Sequence, residues 1–320
     1  LKTAAFGTDA FARCLAVLPI LLLLMVPGAQ SSWNLSTDLD ARLTDSDREE
    51  ARGDIHIFGL SLRKTIADND GDRLILFALF EAHDDFSERM LHEVYGRYKG
   101  PMGKWNLTLG RFGLPFGLLT DFTTSRLLFE SLTPHMIGMD VDSGLMLSGV
   151  LGDVEYGLAA TQGYGGHMTP DLEGPEVYSG RIGMTFGDSG DVRIGLSALD
   201  GKIRSEHHRD HGIDRRIVSA DMTIQPGWWT ARVEVQAGEI DGHSTRGAFA
   251  MTDLAVLPDL DLTIAGRLVR YHQTTEGYGY FGLGYRLPWF TIRGGYTYAH
   301  SETDEHIVSL QIYRMLSVPF

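Results

Sequence analysis

Apolar and polar side chains alternate along most of this 320-residue chain. In residues 229–237, Trp229, Ala231, Val233, Val235 and Ala237 share one parity, and Thr230, Arg232, Glu234 and Gln236 share the other. In 192–198, Val192, Ile194, Leu196 and Ala198 alternate with Arg193, Gly195 and Ser197. Phe290, Ile292, Tyr296 and Tyr298 likewise oppose Thr291, Arg293 and Thr297. A two-residue period belongs to a strand with one apolar and one polar face. Roughly sixteen such segments are present, near 34–43, 53–64, 71–81, 89–99, 103–112, 141–150, 153–162, 176–186, 190–199, 215–225, 228–238, 245–256, 259–271, 277–287, 289–299 and 304–320.

The connections supply the topology. After the even-numbered segments they are short and turn-like: 69–72, 100–103, 151–153, 187–190, 225–227, 257–259 and 287–288. After the odd-numbered segments they are mostly longer and more polar, as in 44–53, 165–174 and 200–212. Tight turns at one rim and long loops at the other are the mark of an up-and-down antiparallel barrel. An even strand count places both termini at the short-turn rim. No repeat or linker interrupts the pattern, so residues 32–320 read as one domain.

One segment breaks the period. Residues 14–26 form a 13-residue apolar run behind Lys2 and Arg13, with Gly28, Ala29, Ser31 and Ser32 after it. That is a secretory leader over 1–31, since a spanning helix needs about 18–20 apolar residues. The single cysteine, Cys14, lies inside it, so the exported part carries no disulfide. An exported chain of amphipathic strands admits two architectures: a sandwich with its apolar faces inward, or a membrane barrel with them turned to lipid. The aromatic residues favour the barrel, because Trp33, Trp105, Trp228, Trp229, Trp289, Tyr285 and Tyr298 sit near strand ends, where interfacial girdles belong. The last strand places Val308, Leu310, Ile312, Leu316, Val318 and Phe320 on one face. A terminal phenylalanine on an amphipathic strand is similar to the C-terminal signal of bacterial outer-membrane barrels. The fold expected is all-β: a transmembrane antiparallel up-and-down β-barrel of about 16 strands with a long third outer loop.

Composition narrows the function. The net charge is −14, with 42 acidic residues against 28 basic ones, which argues against a nucleic-acid partner. Only five lysines stand beside 23 arginines. A sixteen-strand barrel is wide enough to leave an aqueous lumen unless something fills it. Residues 112–140 have the length to narrow it and are too apolar to lie in water. Folded inward they would bury Leu118, Leu119, Phe122, Leu127, Leu128 and Phe129 and leave Asp121, Arg126 and Glu130 facing the passage.

Leader, strand count, third loop and terminal Phe together resemble a bacterial outer-membrane porin. The run GRFGLPFGL (110–118), with Thr123–Arg126 behind it, resembles a stretch of the phosphate-selective porin family. That family's path typically carries lysines, whereas Gly113 and Leu114 stand here where Lys-like residues are usual. The resemblance implies a bacterial outer-membrane location, contact with outer-membrane lipid, and a homotrimer.

Placing the polar parity inside puts Arg97, Arg181, Arg193, Arg232, Arg267 and Arg293 along the pore, with Glu93, Glu155, Asp221 and Glu234 among them and Lys99 near a rim. Charged rings set ion preference in a wide pore, so this mildly basic wall predicts a weak preference for anions. The alternative is that these charges pair across strands and only hydrate the wall. His207, His208 and His211 with Asp210 form a histidine-rich outer loop that reads as solvated, with no metal expected. No catalytic motif, haem-attachment motif or cofactor is read. The expected function is passive diffusion of small hydrophilic solutes or ions. A second reading is a sheath around a periplasmic multihaem cytochrome in an electron conduit, which requires an unplugged lumen.

Overall fold

Each alternating segment becomes a strand. The computed structural model describes residues 30–69, 71–119, 128–129, 131–165, 176–187, 190–204, 212–301 and 303–320. The first four strands are β1 (Gln30–Ser46), β2 (Arg52–Asp68), β3 (Gly71–His83) and β4 (Glu88–Lys99). Then come β5 (Asn106–Gly113), β6 (Val141–Leu151), β7 (Val154–Thr161) and β8 (Val177–Phe186). The third quarter is β9 (Val192–Ile203), β10 (Ile213–Ile224), β11 (Trp229–Ile240) and β12 (His243–Leu257). The chain closes with β13 (Leu260–Tyr271), β14 (Thr274–Arg286), β15 (Thr291–His300) and β16 (Asp304–Pro319). A single short helix, α1 (Leu132–Ile137), lies between β5 and β6 among the described residues. No helix described is long and apolar enough to cross a membrane.

All sixteen strands join one closed barrel, each antiparallel to both neighbours, with β1 paired to β16. The seam runs from Asn34↔Pro319 to Ser46↔Ile307, and Trp33 and Phe320 exchange both backbone hydrogen bonds at 2.9 Å below it. The Trp33 and Phe320 rings stack over this junction.

Register assigns the faces. One continuous row runs Glu155↔Gly183↔Gly195↔Asp221↔Glu234↔Phe249↔Arg267↔Tyr278. The opposite parity of the same strands carries Leu196, Val218 and Val235, all exposed. Similar exposed apolar residues recur on every side of the barrel, from Leu39 and Leu62 to Leu283, Val308 and Ile312. Exposed apolar residues outside and polar ones inside invert the pattern of a water-soluble core, and are what a lipid-facing barrel needs.

The strands run longer than the alternation alone marks, and this corrects the loop expectation. Residues 200–203 extend β9. β11 and β12 meet in the two-residue turn Asp241-Gly242, both with positive φ (51° and 75°), the hairpin that an Asp-Gly pair favours. β13 and β14 are joined through His272 and Gln273 alone. Long connections at that rim are therefore confined to the ones after β5, β7 and β9. All five tryptophans lie at or beside the opposite, short-turn rim: Trp33 beside the C-terminus, Trp105 before β5, Trp228 before β11 and Trp229 at its first residue, and Trp289 before β15.

Adjacent residues of β16 test the face assignment. Leu310 points outward near the middle of its strand, and Ser309 points inward opposite Gly295. Leu310→Arg should cost about 2–4 kcal/mol of unfolding free energy in vesicles, the cost of a guanidinium against lipid near the midplane. Ser309→Arg should cost far less, and equal losses in urea titrations of the two variants would refute the assignment.

Candidate functional site

The segment between β5 and β6 leaves the wall because its ends are tied and its middle cannot pair. Leu114 N–H donates to Asp140 O at 3.0 Å, pinning the entry to the exit. Pro115 then removes a donor, and Gly117 takes a positive φ of 51°. α1 ends at Gly138, left-handed at φ 76°, whose N–H bonds Pro134 O at 2.8 Å.

Between these ties the segment lies inside the barrel. Leu114, Phe116, Leu118, Leu132, Met136 and Ile137 are essentially fully buried. They pack on inward apolar residues of β8 to β14, among them Val177, Leu199, Ile217, Phe249, Met251 and Tyr280. Leu119 belongs to the same cluster, and Leu128 and Phe129 rest against it, with Phe129 4.9 Å from the Tyr280 ring. Phe122, Leu127, Asp121, Arg126 and Glu130 lie outside the described residues, as do His207, His208, Asp210 and His211.

A polar anchor fixes this packing. Glu234 is 0% exposed, and its Oε1 accepts from Thr133 Oγ1 (2.8 Å), Ser219 Oγ (2.9 Å), Gln236 Nε2 (2.9 Å) and Leu118 N (3.3 Å). Two of these four donors come from the inserted segment. Gly117 N–H donates to Ser197 Oγ at 2.9 Å, and Gly117 O accepts from Arg181 Nε at 3.1 Å. Arg181 also pairs with Asp221 at 2.6 Å and with Glu155. A buried carboxylate is tolerable only with such donors, and charge-assisted bonds are the stronger kind.

This places the sequence-identified residues in two groups. All ten occupy the inward parity. Arg181, Asp221 and Glu234, however, are sealed beneath the segment and hold it, which corrects their expected place along an open passage. The physical reason is that Gly117 and Thr133 descend onto them. Glu155 remains about a third exposed at the edge of this group.

The remaining six are half-buried. Arg232 pairs with Asp253 at 3.1 Å. Arg267 lies 4.9 Å from the Tyr278 ring and donates to Ser131 O at 3.3 Å. Arg97 donates to Thr108 Oγ1 at 3.0 Å beside Tyr95, and Arg293 donates to Gln311 Oε1 at 2.9 Å beside Tyr313. Arg193 and Glu93 share the inward parity of their strands. Lys99 approaches Asp72 at 3.6 Å at the short-turn rim. Beneath Phe129 a space of about 450 Å³ remains, lined by Thr230, Asp253, Thr263, Tyr280 and Arg293.

Other residues on this wall were missed. Asp38 accepts a 2.6 Å hydrogen bond from Tyr313, Asp40 pairs with Arg42 at 2.7 Å, and Arg63 is exposed on the inward face of β2. The signal for the first three was present, since Asp38, Asp40 and Arg42 alternate with Leu39, Ala41 and Leu43. At the long-loop end, His92 is a bulge without a partner in β3, and its Nε2 lies 3.2 Å from Asp140. Burial opposes charge on Asp140, but the hydrogen bond and charge of His92 outweigh it and hold the carboxyl below the usual range.

No family model matches the chain, and no curated protein matches it. Solved structures do. An anion-selective porin from Comamonas acidovorans superposes with a TM-score of 0.71 at 12% identity, over 90% of this chain and 100% of that one. OmpT of Vibrio cholerae in its trimer form superposes at 0.67 with 11% identity, covering 88% and 99%. OpdK from Pseudomonas aeruginosa superposes at 0.53 with 13% identity, covering 90% and 99%. The fold is that of an outer-membrane porin barrel. At these identities the likeness is one of architecture, and it extends over the whole described barrel.

The anchor makes a prediction. A Cβ at Gly117 would overlap Glu234 Oε1, and Gly117 already sits at a φ that disfavours other residues. Gly117→Ala should lift the segment from the wall and cost about 1–3 kcal/mol of stability. Its readout is a faster proteolytic cut within 114–140 in the folded barrel. An unchanged cleavage rate would show that the segment is held by other contacts.

Proposed function

We propose that this chain is a bacterial outer-membrane porin, exported by a leader over residues 1–31, through which small hydrophilic solutes or ions diffuse passively with a weak preference for anions. The single observation that carries the anion reading is the state of three guanidiniums. Arg63, Arg97 and Arg293 face inward, away from the inserted segment's anchor, and no ion pair holds any of them among the described residues. Glu93 and Asp38 offset them in the wall, with Asp38 bonded to Tyr313, and Glu88 and Glu305 share the inward parity at the long-loop rim. Most other inward carboxylates are engaged: Asp40 by Arg42, Asp253 by Arg232, and Asp261 by Arg286. Guanidiniums free of ion pairs within the wall attract anions in an aqueous pore.

The Comamonas protein with this architecture is an anion-selective porin, in agreement with this reading. The trimer form of the Vibrio protein supports a homotrimer here. The resemblance of 110–118 to the phosphate-selective porins covers the entry of the inserted segment. The anion preference rests on arginines, and phosphate itself is not assigned. The sheath reading needs an open lumen for a cytochrome, and the packing of residues 114–119 and 131–140 against β8–β14 weighs against it. The barrel acts as a channel and not as an enzyme.

The test is electrical. Refolded protein in a planar bilayer should give discrete conductance steps, and in asymmetric KCl its reversal potential should favour chloride. Changing Arg63, Arg97 and Arg293 together to Gln should move that potential toward the potassium side. A wild-type channel that favours potassium would overturn the anion reading, and a folded barrel that passes no current would overturn the channel.

A further inference from the structure

One charged feature on the outside of the barrel lies beyond the channel reading. Arg246 of β12 stands directly opposite Arg270 of β13. Their neighbours Thr245 and Val269 are buried inward (2% and 4% exposed), so the two arginines take the outward parity, and both are exposed. Neither guanidinium has an ion pair or hydrogen bond among the described residues. Like charges directly opposite on adjacent strands repel and destabilise the pair. In a chain of net charge −14, carrying 42 acidic residues, an unrelieved arginine pair is unusual.

Its height matters as much as its charge. Arg246 lies three residues into β12, and Arg270 one residue from the end of β13, so the pair sits at the rim opposite the five tryptophans. Directly below on the same outward rows come Ala248 and Leu268, the latter 56% exposed, then Val235 on the next strand. The pair therefore marks the upper edge of the lipid-facing belt. The nearest outward acids are otherwise placed: Asp200 bonds Arg216 at 2.9 Å, and Glu239 lies opposite Arg216 and Ser244. Two guanidinium forks side by side at a polar–apolar boundary match a phosphate carried on an acyl-chain anchor.

We propose that Arg246 and Arg270 together bind the phosphate group of an outer-leaflet lipid, whose acyl chains lie on the Leu268–Val235 surface below. The inference rests on the outer-membrane reading but not on conduction. The lipid phosphate supplies the countercharge that the strands lack, and it tethers β12–β13 to the leaflet.

The experiment measures binding of bis-phosphorylated lipid A to detergent-solubilised wild-type barrel and to the Arg246→Gln, Arg270→Gln double variant. Parallel arms use dephosphorylated lipid A, and inorganic phosphate as competitor. Wild type should bind the phosphorylated lipid at least tenfold more tightly than the variant, and the two proteins should bind the dephosphorylated lipid alike. Equal affinity of both proteins for the phosphorylated lipid overturns the proposal. So does displacement of the lipid by inorganic phosphate at equal concentration, which would mark a site for soluble anions. Removing like charges does not threaten folding, so the variant in detergent alone should melt no lower than wild type. Single-channel conductance of both proteins is recorded alongside: lipid binding lost in the variant supports the proposal even where wild type passes no current and the channel reading fails.

Discussion

Closure of the hydrogen-bonded ladder is the constraint from which the rest follows. In hydrocarbon no water satisfies an unpaired backbone N–H or C=O, and each one costs several kcal/mol. A sheet that joins its first strand to its last has no such edge, and here thirteen residue pairs between β1 and β16 make the join, locked by the Trp33–Phe320 exchange below it. Once closed, every strand must send one parity to lipid, and Leu196, Val218, Leu268 and Val308 pay out that obligation in sequence as exposed apolar positions. The opposite parity is released from contact with lipid. It can be polar, or it can form a core of its own.

The barrel does both, on different arcs. From β8 to β14 the inward face carries Val177, Leu199, Ile217, Phe249 and Met251, and these meet Leu118, Leu132 and Met136 from the inserted segment. Burying several aliphatic side chains at roughly 1.5–3 kcal/mol each gives the segment a firm seat. Along β1, β2, β4 and β15 the inward face carries charges, from Asp38, Asp40, Arg42 and Arg63 to Glu93, Arg97 and Arg293. A passage confined to that arc would be narrower than the barrel, and each guanidinium would act across it within a Debye length of about 8–10 Å. Seating the segment and tuning the charge are thus one arrangement.

The sequence made the lipid-facing half of this legible because period two is a local signal. All sixteen strands lie within a few residues of where alternation put them, and Arg97, Arg232, Arg267 and Arg293 took the parity expected. What alternation could not convey is contact between distant residues. Arg181, Asp221 and Glu234 look like Arg97 in sequence, yet Gly117 and Thr133, 48 to 117 residues away, close over them. β12 carries apolar residues on both parities, Ala248 and Ala250 outward and Phe249 and Met251 inward, so its inner core left no polar–apolar contrast to read. The short hairpins were legible in principle, since Asp241-Gly242 is a turn signal, but the expectation of long outer loops masked it. The parity of β1 was equally plain in Asp38, Asp40 and Arg42.

The preference for arginine over lysine follows from these contacts. Arg181 serves Gly117 O, Asp221 and Glu155 at once, through Nε, Nη2 and Nη1. A lysine ammonium at the end of a flexible stem has no fixed fork with which to aim at three acceptors in different directions. On the open arc the planar head works differently: Arg97 and Arg293 lie over Tyr95 and Tyr313, at 5.1 and 5.5 Å from the ring centres. Such a contact steadies the side chain through its face while its edge donors stay available, and it leaves the charge intact. A guanidinium held in this way is a fixed cation on the wall with its position set by an aromatic ring. The same residue type therefore serves where charge must be neutralised to seat the segment and where charge is kept on the inward wall, and the deciding difference is whether its neighbour is a carboxylate or a tyrosine.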